Sequence, residues 1–248
     1  MFKSYLIFIF SVFLLFSCSK KENIAISLEP TDEESMIAIY EEAVEVLKKG
    51  DAYYAAKKFK EAEALMPLSE WAAKSSLMAA YAHYSRNAYS RSVFLLERHI
   101  NNYPSDRNIP YAHYLIAICY FEQILNEKKD LKPLLKAKEK FEYILSTYPE
   151  TDYATDARFK VDLIIDQLAA KEMSIARYYM KTKKWIPAIN RLKTVVKKYD
   201  RTVFIEEALH RLVEVYYTIG LTEEAKKAAQ ILGYSIFLWE TLSIPIYV

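Results

Sequence analysis

One spacing constrains this chain more than any other: Ala43 and Gly50 are followed by Ala55, Phe59, Ala62 and Pro67. Small residues at helical intervals let two antiparallel helices approach closely. A glycine followed by Asp51 turns the chain between them, a large aromatic fills the groove, and a proline ends the second helix. The pattern recurs with Ala80, Ser92, Leu96 and Pro104, then with Ala137, Phe141 and Pro149, then with Ala176, Trp185, Ala188 and Leu192, and last with Gly220 and Ala225. Recurrence at a period of about 34 residues marks stacked units that each bury their face only against their neighbours. Five such hairpins fit the length of 248 residues.

The expected fold is all-α, a superhelix of about five tetratricopeptide-type helical hairpins. Only 3 glycines and 8 prolines are present, too few breakers for the frequent turns of an all-β chain. Hydrophobic content of 52% with 27% charged residues argues against a disordered chain and against a polytopic membrane protein. The pattern has departures: Ser92 replaces an alanine, and Asp200 stands where a terminating proline is expected. About eight extra residues around Asn126 to Pro133 lengthen the third hairpin's connection, and such insertions map to a loop on one face. Between Thr151 and Lys181 no breaker occurs, so the spacing of Ala157, Val161, Ile164, Leu168 and Met173 predicts one long helix or two nearly coaxial ones.

The N-terminus reads as a processing signal over residues 1–17. Lys3 gives a positive start, and Tyr5 to Phe16 is an apolar run, interrupted only by Ser11, too short to span a bilayer. Leu15-Phe16-Ser17-Cys18 resembles the lipobox of bacterial lipoproteins, with Phe16 departing from the small or β-branched residue usual there. That resemblance implies that Cys18 is lipidated, and the absence of an aspartate after it implies delivery to the outer membrane, on its periplasmic face. Residues 18–34 are then a lipidated tether, 35–232 the repeat domain and 233–248 an apolar C-terminal tail. Thr31 or Asp32 is expected to cap the first helix, with Glu33 and Glu34 in its first turn.

No constellation of catalytic or metal-ligating residues emerges, and no cofactor is expected. Cys119 sits in an apolar run, Ile116 to Phe121, and reads as a buried small hydrophobe without basic neighbours to stabilise a thiolate. His83, His99, His113 and His210 fall in separate helices, and His113 reads as a packing histidine beside Tyr111 and Tyr114. The 21 tyrosines serve mostly as groove-filling rings. Charge is uneven: Glu29 to Glu45 holds seven acidic residues and no Lys or Arg, whereas Lys181 to Arg201 holds eight basic residues against Asp200. Both fit solvated helix faces, and the basic stretch also suits an acidic partner. A formal net charge of +2 and export together give no support to nucleic-acid binding.

Several short stretches are not dictated by the generic repeat. They are Asn108-Ile109-Pro110-Tyr111, the run Tyr148-Pro149-Glu150-Thr151-Asp152-Tyr153, and Ser174-Ile175-Ala176-Arg177-Tyr178-Tyr179 leading through Trp185 to Ala188-Ile189-Asn190-Arg191. Together they resemble the BamD family, tetratricopeptide lipoproteins of the outer-membrane β-barrel assembly machinery, over about nine-tenths of the mature chain. The resemblance implies a scaffold, not an enzyme. Its partners would be the BamA-like β-barrel insertase, other lipoprotein subunits and unfolded outer-membrane proteins. It places Asn190 and Arg191 at the insertase contact and the first two hairpins at the substrate-receiving end. There the family's Tyr-Pro-Phe-Gly-x-Tyr turn is replaced by Met66-Pro67-Leu68-Ser69-Glu70-Trp71, and Met66, Leu68 and Trp71 remain as apolar contacts for an extended peptide. Two other classes stay open at this point: another periplasmic tetratricopeptide lipoprotein, such as a pilus or secretin pilotin or an envelope-division factor, and a murein hydrolase built on a helical arch.

Overall fold

The computed structural model describes residues 31–123 and 131–241. Ten helices follow in order: α1 Asp32–Lys48, α2 Ala52–Leu65, α3 Glu70–Ser85, α4 Tyr89–Asn102, α5 Ile109–Glu122, α6 Lys132–Thr147, α7 Asp152–Lys181, α8 Trp185–Lys198, α9 Ile205–Thr218 and α10 Thr222–Thr241. No strand occurs among the described residues. Each helix packs against the next, and α1 also meets α3 while α5 meets α7. This is the stacking of five hairpins that the repeat pattern predicts.

The residue types of that pattern occupy the positions their sizes demand. Ala43, Ala55, Phe59 and Ala62 are fully buried, as are Ala80, Leu96, Ala137, Phe141, Ala176, Ala188 and Leu192. A buried Phe or Leu side chain contributes about 1.5–3 kcal/mol by leaving water, and the alanines let the helices come near enough for that burial to be complete.

Four of the turns inside hairpins are built alike. Gly50, Asn87, Lys183 and Gly220 each adopt a positive φ, of 93°, 61°, 56° and 81°. The next residue's N–H reaches back five positions: Asp51 to the Val46 carbonyl at 3.2 Å, Ala88 to His83 at 2.9 Å, Lys184 to Tyr179 at 2.8 Å and Leu221 to Tyr216 at 2.8 Å. This left-handed helix end satisfies carbonyls that would otherwise lack partners. Two of the four positions are glycine; the other two carry a Cβ in a backbone region that disfavours it.

Start signals differ between helices. Thr31 caps α1 by accepting from the Glu34 N–H at 3.2 Å while Glu34 accepts from the Thr31 N–H at 3.0 Å. This reciprocal box starts the helix at Asp32, inside the last three residues of the stretch read as a tether. At the other end, α10 runs on to Thr241, well into the stretch read as a tail. Gly233 lies within it without a left-handed φ, so nothing stops the helix there. The signal segment, Cys18 and residues 242–248 lie outside the described residues, as does most of the third hairpin's insertion.

The long helix α7, at 30 residues, spans about 45 Å. Its first half, through Leu168, belongs to the apolar core that begins at Leu77; from Ala169 onward it belongs to a second core that ends with Ala228. One rigid element therefore joins the two groups of hairpins, and no composition break separates them.

Candidate functional site

At the first inter-hairpin turn, the chain leaves α2 at Met66, which is half-buried, and enters α3 through Ser69. The Ser69 hydroxyl donates to the Met66 carbonyl at 2.8 Å and accepts from the Ala72 N–H at 3.0 Å. That closed turn holds Leu68 outward, fully exposed. Leu68 borders a cavity of about 540 Å³ with Ala73, Lys74, Tyr103, Pro104 and Arg107, where the α4–α5 turn faces the start of α3.

Trp71 has a different role. Its ring lies edge-on to Tyr40 at 5.3 Å, Tyr40 lies edge-on to Phe59 at 5.3 Å, and the Lys74 ammonium sits 4.4 Å from the indole. Of the three residues expected to contact an extended peptide, only Leu68 lines the cavity; Met66 shapes the turn and Trp71 braces α3 against α1. Tyr103 and Asp106, which line the cavity, belong to a polar network that sequence reading missed. Arg98 and Tyr103 both donate to Glu63, and the imidazole of His99, fully buried, lies 3.3 Å from Asp106. Desolvation lowers the His99 pKa against the pull of Asp106 and Glu63. Burial, reinforced by Glu63, pushes the Tyr103 hydroxyl up to about 12. Partners 35 and 40 positions apart leave no periodic signal that could have found them.

The second surface lies on α8. Asn190 is exposed, and with Tyr179, Ile186, Pro187, Arg191 and Thr194 it lines a depression of about 250 Å³. The Arg191 Nη1 donates to both Glu172 oxygens, at 3.1 and 3.3 Å. Glu172 sits on α7, so one carboxylate holds the guanidinium against the preceding helix. The arginine side chain stays 43% exposed, which leaves its outer edge open to a second carboxylate. Tyr178 and Ile186 nearby are both mostly exposed. The two expected surfaces are thus separate, one at the first inter-hairpin turn and one on the fourth hairpin.

Cys119 is fully buried, and desolvation pushes its thiol up to about 11, as expected of a packing residue. His113 packs against rings, though not those of its sequence neighbours: Tyr143 and Tyr148 lie 4.8 and 5.9 Å away, while Tyr111 faces Tyr153. Among the described residues no group of three or more His, Cys, Asp or Glu could hold a metal ion, and no helix is long and apolar enough to cross a membrane.

Residues 32–231 match the family described as outer membrane lipoprotein, YfiO. The outer membrane protein assembly factor BamD of Caulobacter vibrioides is 42% identical over 204 residues, covering 82% of this chain and 67% of that one. The factor of the same name from Rickettsia prowazekii is 38% identical over 197 residues, covering 79% and 78%. Among solved structures, a putative kinesin light chain with TPR-like repeats from Podosopora anserina aligns over 87% of this chain and 100% of that one, at 16% identity and a TM-score of 0.39.

Proposed function

The chain belongs to the YfiO family of outer membrane lipoproteins, whose relatives are BamD assembly factors, and on that premise we propose how an outer membrane protein assembly factor of this sequence works. It is a scaffold, not a catalyst, held to the periplasmic face of the outer membrane by an acyl anchor on Cys18. Residues 1–17 act as the export signal. The stacked hairpins present preformed surfaces to other polypeptides, namely the β-barrel insertase, neighbouring lipoprotein subunits and unfolded outer-membrane proteins on their way to insertion.

The insertase docks at Asn190 and Arg191. The observation that carries this assignment is the half-used guanidinium: Glu172 fixes its position, while its exposed edge and the apolar Ile186 beside it remain free for a partner. Unfolded substrates meet the cavity at the first inter-hairpin turn through Leu68, with Met66 and Trp71 supporting that turn.

Affinity purification of the lipidated chain from its own membranes tests the insertase site. Arg191→Glu is expected to remove the copurifying insertase with the far-ultraviolet circular dichroism unchanged, and Arg191→Gln to weaken the association. Undiminished recovery of the insertase with either variant would reject the site.

A further inference from the structure

A cluster of cations on the first two hairpins is not absorbed by either surface above. Lys60 on α2, Arg86 at the end of α3 and Arg91 on α4 all lie near His83, whose pKa is lowered by burial and, after it, by these three cations. Among the described residues none of these three cations forms an ion pair. Arg86 instead lies over the ring of Tyr53 at 5.2 Å and Arg91 over the ring of Phe94 at 5.1 Å. Both rings are turned outward, Tyr53 68% and Phe94 54% exposed. Three cations from three neighbouring helices without an ion-pair partner make a locally positive surface, and two of them are held over outward aromatic faces.

We propose that this patch rests on an anionic bilayer surface and forms a second membrane contact beside the acyl anchor. Outward aromatic rings interleaved with arginines are the composition of a protein at the headgroup level, where the rings sit in the interface and the guanidiniums meet phosphates. The patch also lies on the two hairpins nearest the anchor. From Cys18 to Thr31 the chain can reach about 43 Å, whereas α1, which separates the tether's end from the Gly50 turn and Tyr53 just beyond it, is 17 residues and about 25 Å long. The tether therefore allows this edge to meet the membrane that holds Cys18. A cationic patch beside a lipid anchor is a recognised way of fixing orientation as well as attachment, and three cations favour an anionic over a neutral surface by about 100-fold.

This inference rests on the acyl anchor proposed above, and one experiment separates the two. Ser90, exposed beside Arg91, is changed to Cys and labelled with a fluorophore; Cys119 is buried and Cys18 carries the lipid, so the new thiol alone reacts. The lipidated chain is reconstituted in phosphatidylcholine vesicles and in vesicles with 30% phosphatidylglycerol, each carrying a headgroup quencher. Quenching is expected to be at least twofold greater in the anionic vesicles. It should fall to the neutral level in 1 M salt, where charges are screened beyond about 3 Å, and in Arg86→Gln/Arg91→Gln. Equal quenching in a chain that floats with neutral vesicles overturns the patch and leaves the anchor standing. Flotation on anionic vesicles alone overturns the anchor and supports the patch. Should the double variant keep its quenching but lose a copurifying protein, the surface is a protein interface and the bilayer assignment is wrong.

Discussion

Arg177 on α7 and Glu207 on α9 meet as a two-point fork, with Nε to Oε1 at 3.0 Å and Nη2 to Oε2 at 2.6 Å. Arg211 approaches the same carboxylate at 3.7 Å, so one acid gathers cations from two helices across the α8 hairpin partner. Its hydrogen bond from Arg177 holds the Glu207 carboxyl below its ordinary value of 4.5. The side chains are 47% and 35% exposed, so screening limits the contribution to about 0.5–1 kcal/mol.

A depressed carboxylate pKa gives stability that is fully present above the unfolded value and lost as pH falls through the folded one. Glu207→Gln is therefore expected to lower the urea midpoint slightly at pH 7, and the gap from the unmodified chain should close as the pH falls below 4.5 and the carboxylate is protonated. Paired urea melts at pH 7 and pH 3 read this directly; a gap that widens on acidification would show the opposite linkage.

The left-handed turns offer a cleaner stability test. Lys183 at φ 56° occupies the place that Gly50 and Gly220 fill elsewhere, and a side chain there costs about 1–2 kcal/mol against roughly 0.5–1 for the greater unfolded freedom of glycine. Lys183→Gly should raise the thermal midpoint by about 1–3 °C, and Gly50→Ala should lower it by a similar amount. The added Cβ at Gly50 meets nothing within 4 Å, so any loss there reports backbone strain alone. A Lys183→Gly chain that melts earlier would contradict the reading.

Where sequence reading succeeded, residue size and helical spacing carried the information. Ala43, Ala55, Phe59 and Ala62 are buried because only small residues permit the crossing and only a large one fills the space left, so their order names the hairpin. The long α7 was legible because no breaker interrupts it. The particulars of the candidate sites were not. Trp71 reads as a free apolar contact until Tyr40, from α1, is seen to engage its ring. Sequence proximity sets His113 beside Tyr111 and Tyr114, yet residues one or two positions away on a helix point elsewhere, and the rings it touches come from α6 and the turn after it. Arg191 is singled out by the family resemblance and sits in a basic stretch, but nothing in either announces Glu172, 19 residues earlier, as the group that positions it.

Ser92, the residue that departs from alanine in the second hairpin, is fully buried and donates to the Ala80 carbonyl at 2.9 Å. That carbonyl also serves its own helix, so removing the hydroxyl strands no acceptor. Ser92→Ala should cost less than about 1 kcal/mol, whereas Ser92→Leu forces extra methylenes between α3 and α4 and should cost about 1–3 kcal/mol. Chemical melts of both variants decide the point, and equal losses would mean that the site has room to spare.

With its thiol pushed up to about 11 and no exposed surface, Cys119 should be inert in the folded chain. At pH 8 about one thiol in a thousand is ionised at that value, and the reagent also needs access. Treatment with a disulfide reagent should therefore give no modification of Cys119 over hours in buffer and complete reaction within minutes in guanidinium. Rapid labelling under native conditions would place the thiol in a mobile, open part of the fold.

Leu68 separates binding from folding more sharply than any other residue at the first turn. It is fully exposed and makes no contribution to the core, so Leu68→Asp should leave the thermal midpoint within about 1 °C of the unmodified chain. If the neighbouring cavity receives extended apolar peptides, the same change places a charge at its rim and should weaken their binding at least fivefold. Trp71→Ala is the contrasting variant, because it also removes the ring packed on Tyr40 and should lower stability by about 2–4 kcal/mol. Peptide titrations by fluorescence anisotropy, alongside thermal melts, read both quantities. Unaltered affinity in Leu68→Asp would remove substrates from this cavity whatever Trp71→Ala does.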